Sequence, residues 1–223
     1  RMNYCCTLFD RNYLVKGLVM LRSLLKYSDN TRVFVLCMDR DTKEILTALH
    51  LPNVVLLTLN DVEDDDLRRI KPDRSIAEYC WTLTGSLCWY VMNHYGYVDR
   101  LTYLDADLMF FSSVHPLFEE IGDASIAIIE HRFSERFSHL EAYGVFNVEW
   151  VTFVRDADGL AYKKKWREQC IEWCYARLED GRMGDQKYLD YWPTDFPGHV
   201  HVLQHPGAGV APWNFSNYKY STL

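Results

Sequence analysis

Apolar runs alternate with segments of helical periodicity along the first sixty residues of the chain. The apolar runs are short and continuous, which is typical of strands buried on both faces, and the segments between them repeat apolar residues at helical spacing. Strands are predicted over residues 3–9, 33–38 and 54–59, and helices over residues 13–27 and 41–50. This β-α-β-α-β order predicts a parallel sheet with covering helices.

The rest of the chain continues the α/β pattern. Helices are predicted over residues 75–95 and 157–178, and strands over 101–105, 125–129, part of 144–154 and 200–204. The acidic run from Asp61 to Asp66 indicates a solvated loop or a helix start. No repeat or linker interrupts the pattern, so we expect one domain over residues 1–223. The chain stops at Leu223 without an obvious terminal helix, so we expect the native protein to continue.

Composition narrows the class of protein. Of the 223 residues, 48% are hydrophobic, which excludes disorder, and the net charge of −7 argues against nucleic-acid binding. No apolar span of 18 residues and no secretory signal are visible. Seven cysteines, several in apolar runs, indicate a reduced, cytoplasmic chain. Cys170 and Cys174 have helical spacing; packing is favoured over metal binding because no second pair accompanies them.

Two carboxylates follow the predicted strand at 101–105. Side chains repeat every two residues on an extended chain, so Asp105 and Asp107 point the same way. Paired carboxylates repel each other unless a cation or a proton lies between them. Their oxygens suit Mg²⁺ or Mn²⁺, which usually bridge carboxylates to phosphates. The pattern predicts a metal–diphosphate site, and the alternative is a solvated turn that happens to hold two aspartates.

Four further polar segments surround this motif in sequence order. They are Phe9 to Tyr13, Tyr143 to Asn147, Gly184 to Gln186, and the Gly-rich segment His205 to Trp213. The first follows a strand, where ligands of open α/β sheets bind, although Asp10 is equally suited to cap a helix. The last segment permits close approach of backbone to a phosphate, and His205 would complete the coordination of a cation.

These segments resemble glycosyltransferase family 8, most closely its bacterial nucleotide-diphospho-sugar transferases. The resemblance covers residues 4–214, and its most specific parts are the Tyr-Leu-Asp-x-Asp run within 101–107 and the ordered Asn147, Asp185–Gln186 and His205–Trp213. It implies an α/β GT-A nucleotide-diphospho-sugar transferase fold, with a mixed, mostly parallel central sheet flanked by helices. It also implies a glycosyltransferase of the hexosyltransferase type.

The resemblance assigns expected roles to individual residues. Asp105, Asp107 and His205 are expected to hold Mn²⁺ or Mg²⁺ on the donor diphosphate, and Asp185 and Gln186 are expected to lie beside the transferred sugar as the catalytic pair. The uridine is expected to contact Thr7, Asp10, Asn12 and Tyr13. The other expected donor-binding residues are Ala106, Asn147, Gly207, Gly209 and Trp213.

The chain departs from the family pattern at four positions. Ala211 stands where family members often have a phosphate-binding Lys, and Ala208 stands where they often have Gly. Glu149 replaces the Gly of Asn-x-Gly, and Thr84 occupies the position of an Arg on the helix before the metal strand. A positive partner for the diphosphate is therefore missing, unless Arg11 or another residue supplies it.

The expected function is metal-dependent transfer of a sugar from a nucleotide diphosphate donor, a UDP-sugar, to a hydroxyl of an unknown glycan or other acceptor. The resemblance implies retention of configuration. A catalytically silent nucleotide-sugar binding module is one alternative. An Asp-nucleophile phosphatase is the other, although such enzymes usually carry the motif near the amino terminus, with Thr or Val where this chain has Met109. The sequence indicates no oligomeric state.

Overall fold

The computed structural model describes residues 2–220, which form a seven-stranded sheet flanked by helices. The strands are β1 (Asn3–Phe9), β2 (Thr31–Cys37), β3 (Val54–Thr58), β4 (Arg100–Leu104), β5 (Ile126–Glu130), β6 (Phe146–Val154) and β7 (Val200–Val202). The helices are α1 (Leu14–Tyr27), α2 (Arg40–Leu49), α3 (Leu59–Val62), α4 (Asp65–Ile70), α5 (Ile76–His94), α6 (His115–Ile121), α7 (Ala157–Glu172) and α8 (Trp192–Asp195). Residues 221–223, where the chain was expected to continue, lie outside the described part.

The strand order is β3-β2-β1-β4-β6-β5-β7. The pairs β3–β2, β2–β1, β1–β4 and β5–β7 are parallel, whereas β6 is antiparallel to both β4 and β5. The predicted mixed, mostly parallel sheet flanked by helices is confirmed. That residues 1–223 form one catalytic domain stays a prediction.

Each face of the sheet has its own hydrophobic core because successive strand residues point to opposite sides. On β1, Cys6 and Leu8 pack in one cluster with residues of α5 and α7, while Cys5 and Phe9 pack in the other with residues of α1 and α6. The first cluster centres on fully buried Trp166 of α7. Because helices cover both faces of the sheet, a ligand is expected to bind where the strands end.

The structure corrects the predicted end of α7. The helix stops at Glu172 rather than at residue 178, and Trp173 is extended. The Gln169 carbonyl accepts the last helical hydrogen bond, from the Trp173 N–H at 2.8 Å. The Tyr188 hydroxyl donates to the Trp173 carbonyl at 2.7 Å, so this carbonyl is satisfied without a further helical turn.

Other local elements also differ from the sequence expectations. The sequence missed α6, α8 and the 3-10 helices over Glu135–Tyr143 and Lys187–Tyr191. The acidic run proves to be a helix start, because the Asp64 carboxylate accepts the Leu67 N–H at 3.1 Å and caps α4.

The cysteines and helices agree with two expectations from composition. All seven cysteines are free, and Cys170 and Cys174 are fully buried in the hydrophobic cluster with Trp166. Within residues 2–220, no helix is long and apolar enough to cross a membrane.

Gly159, in the first turn of α7, permits the helix to approach β6 closely. A Cβ there would lie 2.1 Å from the Val154 carbonyl oxygen and 2.9 Å from that of Ser125. We expect Gly159→Ala to destabilise the protein by about 2 kcal/mol or more, because the backbone clash outweighs the gain of about 1 kcal/mol in helix propensity. Urea unfolding measures this change.

Gly96→Ala is the matched control, because a Cβ at Gly96 would meet nothing within 4 Å. We expect its free energy of unfolding to change by less than about 0.5 kcal/mol. Equal stability of the two variants would contradict the packing argument.

Candidate functional site

The candidate site lies where β1 and β4 end and β6 begins. Asp10 follows β1 and Asp105 follows β4, and these parallel neighbours deliver both carboxylates to the same edge of the sheet. The antiparallel β6 pairs Trp150 with Leu104, and the Asp105 N–H donates to the Glu149 carbonyl at 3.3 Å. Residues 147–149 therefore run beside the Asp-x-Asp motif.

An irregularity between β5 and β6 shapes this edge. Ile128 pairs with Val151, but the next residue, Ile129, pairs with Asn147, so residues 148–150 have no partner on β5. The Glu149 N–H donates instead to the Asn147 side-chain oxygen at 3.1 Å. Such irregularities re-aim side chains at functional edges.

Gly209 of the late Gly-rich segment packs directly against this irregularity. Its φ is +71°, and a Cβ there would lie 3.0 Å from Glu149 Oε1 and 2.8 Å from Ile129 Cδ1. Only glycine fits, because both the backbone conformation and the space exclude a side chain. The Gly-rich segment thus lies beside the Glu149 carboxylate.

A cavity of about 440 Å³ opens at the ends of β1 and β4. Six predicted site residues line it: Asp10, Asn12, Tyr13, Asp105, Ala106 and Asp107. Residues of α5 form another wall of this cavity. The structure therefore brings the first polar segment and the Asp-x-Asp motif together at one cavity.

A smaller cavity of about 140 Å³ adjoins the first. Its lining includes the predicted residues Asn147, Asp185 and Gln186 together with Asp105. Trp81, Thr84 and Asp105 line both cavities, so the two spaces meet at the first carboxylate of the motif. The arrangement is one cleft with a larger and a smaller compartment.

Asp10 shapes the turn at the mouth of the larger cavity. Its carboxylate accepts the backbone N–H groups of Asn12 at 2.9 Å and Tyr13 at 3.1 Å, and the Asn12 side-chain amide at 3.0 Å. Asp10 therefore orders the turn before α1 and does not cap the helix, whose N-cap is Tyr13, while its side chain also lines the cavity. Tyr13 is 46% exposed, so one side of its ring is available to a ligand.

Asp185 is held in the smaller cavity by α5 and α7. Its carboxylate accepts the Thr84 hydroxyl at 2.9 Å, and its carbonyl accepts the Trp166 indole N–H at 2.9 Å. The Gln186 side chain donates to the Tyr143 carbonyl at 3.1 Å, and its amide oxygen has no hydrogen-bond partner among residues 2–220. Thr84 thus supplies a neutral donor where the resemblance implied a cation.

Four carboxylates share this edge of the sheet. Burial, together with repulsion from the neighbouring Asp107, raises the pKa of Asp105 to about 7. Burial likewise raises the pKa of Asp185 to about 7 against the lowering hydrogen bond from Thr84. Burial raises the pKa of Glu149 to about 8, with repulsion from Asp105 and Asp107 adding to the effect. Asp105, Asp185 and Glu149 are therefore costly to ionise unless positive charge is added.

The chemistry of this set suits a divalent cation. Mg²⁺ and Mn²⁺ take oxygen ligands and commonly bind one or two carboxylates, with phosphates and waters completing the shell. Asp105 and Asp107 are such ligands, and the 92%-buried Glu149 adds a carboxylate without a hydrogen-bond partner among the described residues. No group of three or more His, Cys, Asp or Glu side chains within residues 2–220 is arranged to hold a metal by itself.

The predicted residues of the Gly-rich segment from His205 to Trp213, which we call the late loop, line neither cavity. His205 is exposed; its N–H donates to Glu120 at 3.0 Å, and its ring accepts the Gly207 N–H at 3.1 Å. The Trp213 indole donates to the His131 carbonyl at 3.0 Å. Asp105, Asp107 and His205 therefore form no preassembled three-ligand group, and the metal role of His205 stays a prediction.

Thr7 is also outside the cavity linings. Its side chain is fully buried within β1, and its hydroxyl has no hydrogen-bond partner among the described residues. Contact between Thr7 and a ligand stays a prediction.

The sequence analysis missed the wall that α5 contributes. Ala77, Cys80, Trp81 and Thr84 lie on one helical face, with Ile76 beside it. Their spacing of three to four residues is a helix-face signal, but it does not distinguish a cavity wall from core packing. Only the position of α5 relative to the sheet shows that this face of the helix lines a cavity.

Comparisons with known proteins agree with this architecture. The model of the family "Glycosyl transferase family 8" matches residues 4–153. The uncharacterised Bacillus subtilis proteins YfnD and YfnF are 34% and 30% identical to the chain; the alignments cover 96% and 97% of it and 69% and 73% of the relatives.

Solved structures show the same fold at low sequence identity. Mouse xyloside xylosyltransferase 1 has a TM-score of 0.57 and 16% identity, covering 92% of this chain and 86% of that one. The galactosyltransferase LgtC, in a complex with donor and acceptor sugar analogues, has a TM-score of 0.55 and 17% identity, covering 90% and 73%.

Fold and comparisons together define a glycosyltransferase with the GT-A fold. The chain belongs to glycosyl transferase family 8.

The raised carboxyl pKa values predict a metal effect that depends on pH. In the metal-free folded protein, Asp105, Asp185 and Glu149 retain protons that the unfolded chain releases at lower pH. Their contribution to stability is complete below the unfolded pKa and is lost as pH rises to about 8, because the folded state then holds unpaired charge. We expect Mn²⁺ or Mg²⁺ to raise the melting temperature more at pH 8 than at pH 5.

Thermal unfolding with and without the metal measures this difference. Asp65→Asn, a change to an exposed carboxylate on α4, should leave the metal-induced shift intact. A shift that is absent, or equal at both pH values, would contradict a cation at this edge.

Proposed function

We propose that the protein transfers a sugar from a nucleotide diphosphate donor, a UDP-sugar, to a hydroxyl of a glycan or other acceptor, with a divalent metal and with retention of configuration. The supporting observation is the junction of two cavities at Asp105. A donor has three linked parts, and the cleft offers a compartment for the nucleoside, a carboxylate pair for the metal-bound diphosphate, and a compartment for the sugar.

The larger cavity is proposed to hold the uridine. The exposed Tyr13 ring offers a face for stacking on the base. Asn12 and Asp10 line the same space and offer amide and carboxylate oxygens to the base and ribose hydroxyls. Thr7 belongs to the proposed set through the family resemblance alone.

The edge of four carboxylates is proposed to hold the diphosphate through Mn²⁺ or Mg²⁺. When bound, the cation would neutralise charge that grows on the leaving diphosphate. Asp105 and Asp107 are the proposed ligands, and His205 would join them once a donor draws the late loop inward. Gly207, Gly209 and Trp213 belong to this loop and would bring its backbone to the phosphates.

The smaller cavity is proposed to hold the transferred sugar, with Asn147 in its wall. Asp185 is placed to accept hydrogen bonds from sugar hydroxyls while Thr84 fixes its carboxylate. Gln186 is a poor nucleophile, so its available amide oxygen is proposed to orient the sugar or support positive charge beside the anomeric carbon. Retention would then proceed by attack on the same face within an ion pair.

A cytoplasmic location is part of the proposal. Seven free cysteines support a reducing compartment, because disulfides form readily elsewhere.

Asp105→Asn tests the metal–diphosphate assignment. We expect it to weaken UDP binding in the presence of Mn²⁺ by about tenfold or more, because one charged ligand is lost. Isothermal titration calorimetry measures this, with Asp65→Asn as a control of equal charge change. A variant that folds and binds Mn²⁺–UDP as tightly as wild type would defeat the assignment.

Turnover assays separate the proposal from its two alternatives. We expect Mn²⁺-dependent release of UDP from a UDP-sugar, with water acting as acceptor, and no hydrolysis of a generic phosphate ester. Binding of the donor without any UDP release, across UDP-sugars, would favour a silent binding module. Hydrolysis of the phosphate ester that is lost in Asp105→Asn would favour a phosphatase.

A further inference from the structure

The proposed donor site has an imbalance of charge. Asp105, Asp107, Glu149 and Asp185 lie at its centre, and neither set of cavity-lining residues includes a Lys or an Arg. The late loop from His205 to Trp213 contains no Lys or Arg either. The diphosphate of a sugar donor would add about two negative charges to these carboxylates, and one divalent cation balances the diphosphate alone.

Lys16 is placed to correct this imbalance. It lies in the first turn of α1, three residues after Tyr13, so both side chains share one helical face. Its ammonium nitrogen is 4.0 Å from Asp107 Oδ2 and 4.5 Å from the centroid of the Tyr13 ring. Tyr13 and Asp107 line the larger cavity, and the Lys16 ammonium contacts both of them although Lys16 itself is not among the lining residues.

We propose that the Lys16 ammonium binds the diphosphate of the nucleotide donor, an inference that rests on the proposed function. The phosphates of a donor must lie between a base at Tyr13 and a metal at Asp107, and this ammonium already lies between these two groups. A lysine binds phosphate as a mobile point charge, so it needs proximity rather than fixed geometry.

The present partner of Lys16 does not immobilise it. Its side chain is 56% exposed and that of Asp107 is 51% exposed, with the two charged atoms at the limit of ion-pair distance. Exposed pairs of this kind contribute little, so a phosphate can draw the ammonium away.

The nearby arginines are committed to other groups. Arg11, the expected substitute, pairs with Asp41 of α2 at 3.1 Å. Arg132 donates to the carbonyls of Leu203, His205 and Ala208, which ties the start of the late loop to the end of β5. Within residues 2–220, Asp107 forms its ion pair with Lys16 and with neither of these arginines.

Lys16→Gln tests the proposal through two ligands that differ only in the diphosphate. In the presence of Mn²⁺, we expect UDP to bind this variant about tenfold more weakly than wild type, because a charge-assisted contact is lost. Uridine, followed by NMR titration, should bind both proteins equally. Lys16→Arg should recover most of the affinity for UDP.

Lys26→Gln is the matched control. Lys26 lies on the same helix, with its ammonium 4.9 Å from the Tyr27 ring, and the substitution changes the net charge equally. UDP affinity should stay at the wild-type value. A similar loss in both variants would attribute the effect to net charge and overturn the proposal.

The remaining outcomes distinguish this inference from the proposed function. If wild type binds Mn²⁺–UDP and Lys16→Gln binds it equally well, the Lys16 inference fails and the proposed function stands. If uridine and UDP lose affinity equally, Lys16 supports Tyr13 rather than the phosphates, and the inference also fails. If wild type binds no UDP, both fail together.

Discussion

Repulsion among buried carboxylates governs this edge of the sheet. Asp105 and Asp107 follow β4, Glu149 comes from β6, and Asp185 is fixed by Thr84. Burial removes water that would otherwise stabilise the charges of Asp105, Asp185 and Glu149, whereas Asp107 stays half exposed and adds repulsion. Ionising the three buried carboxyls is therefore costly, and a cation bound at this edge would recover that cost.

Strand direction creates this concentration of charge. Parallel β1 and β4 bring Asp10 and Asp105 to the same edge, and antiparallel β6 starts at that edge, so its first residues run past the tip of β4. The irregular pairing with β5 then leaves Glu149 beside Gly209. An all-parallel sheet would have sent β6 away from the Asp-x-Asp motif. The single reversed strand thus joins the Asp-x-Asp edge to the smaller cavity.

The late loop is held in place by buried polar contacts. Asn214, which is fully buried, donates to the carbonyls of His131 and Gly209, and its side-chain oxygen accepts the Ala211 N–H. Glu120 accepts the N–H of His205 from the other side. Movement of His205 toward Asp105 and Asp107 must break some of these contacts, so loop closure competes with them energetically.

Much of the fold could be predicted because its signals are local. The apolar runs of β1 to β5 and the helix-capping residues determine where elements start, and Asp105 with Asp107 marks the end of a strand. The structure places Asp10, Tyr13, Asp185 and Gln186 in the linings of the two cavities that meet at Asp105, and their roles stay predictions.

The features that were not predicted depend on contacts between residues that are distant in sequence. At the end of α7, the Trp173 carbonyl is satisfied by Tyr188, which lies beyond the helix, and no periodicity within the helix reveals this contact. Lys16 resembles an ordinary exposed helix residue until the fold brings it to Asp107. Glu149 enters the carboxylate group only through the irregular register of β6. Each case requires three-dimensional proximity that sequence spacing does not encode.

Proton release on metal binding tests the central claim most directly. Calorimetric titration of Mn²⁺ with UDP at pH 6.5 to 7, in buffers of different ionisation enthalpy, gives the number of protons exchanged. Because Asp105 and Glu149 hold protons in the metal-free protein, the account predicts net proton release from the protein, greater in wild type than in Asp105→Asn. Binding heats that do not vary with the buffer, once proton exchange by UDP itself is subtracted, would contradict it.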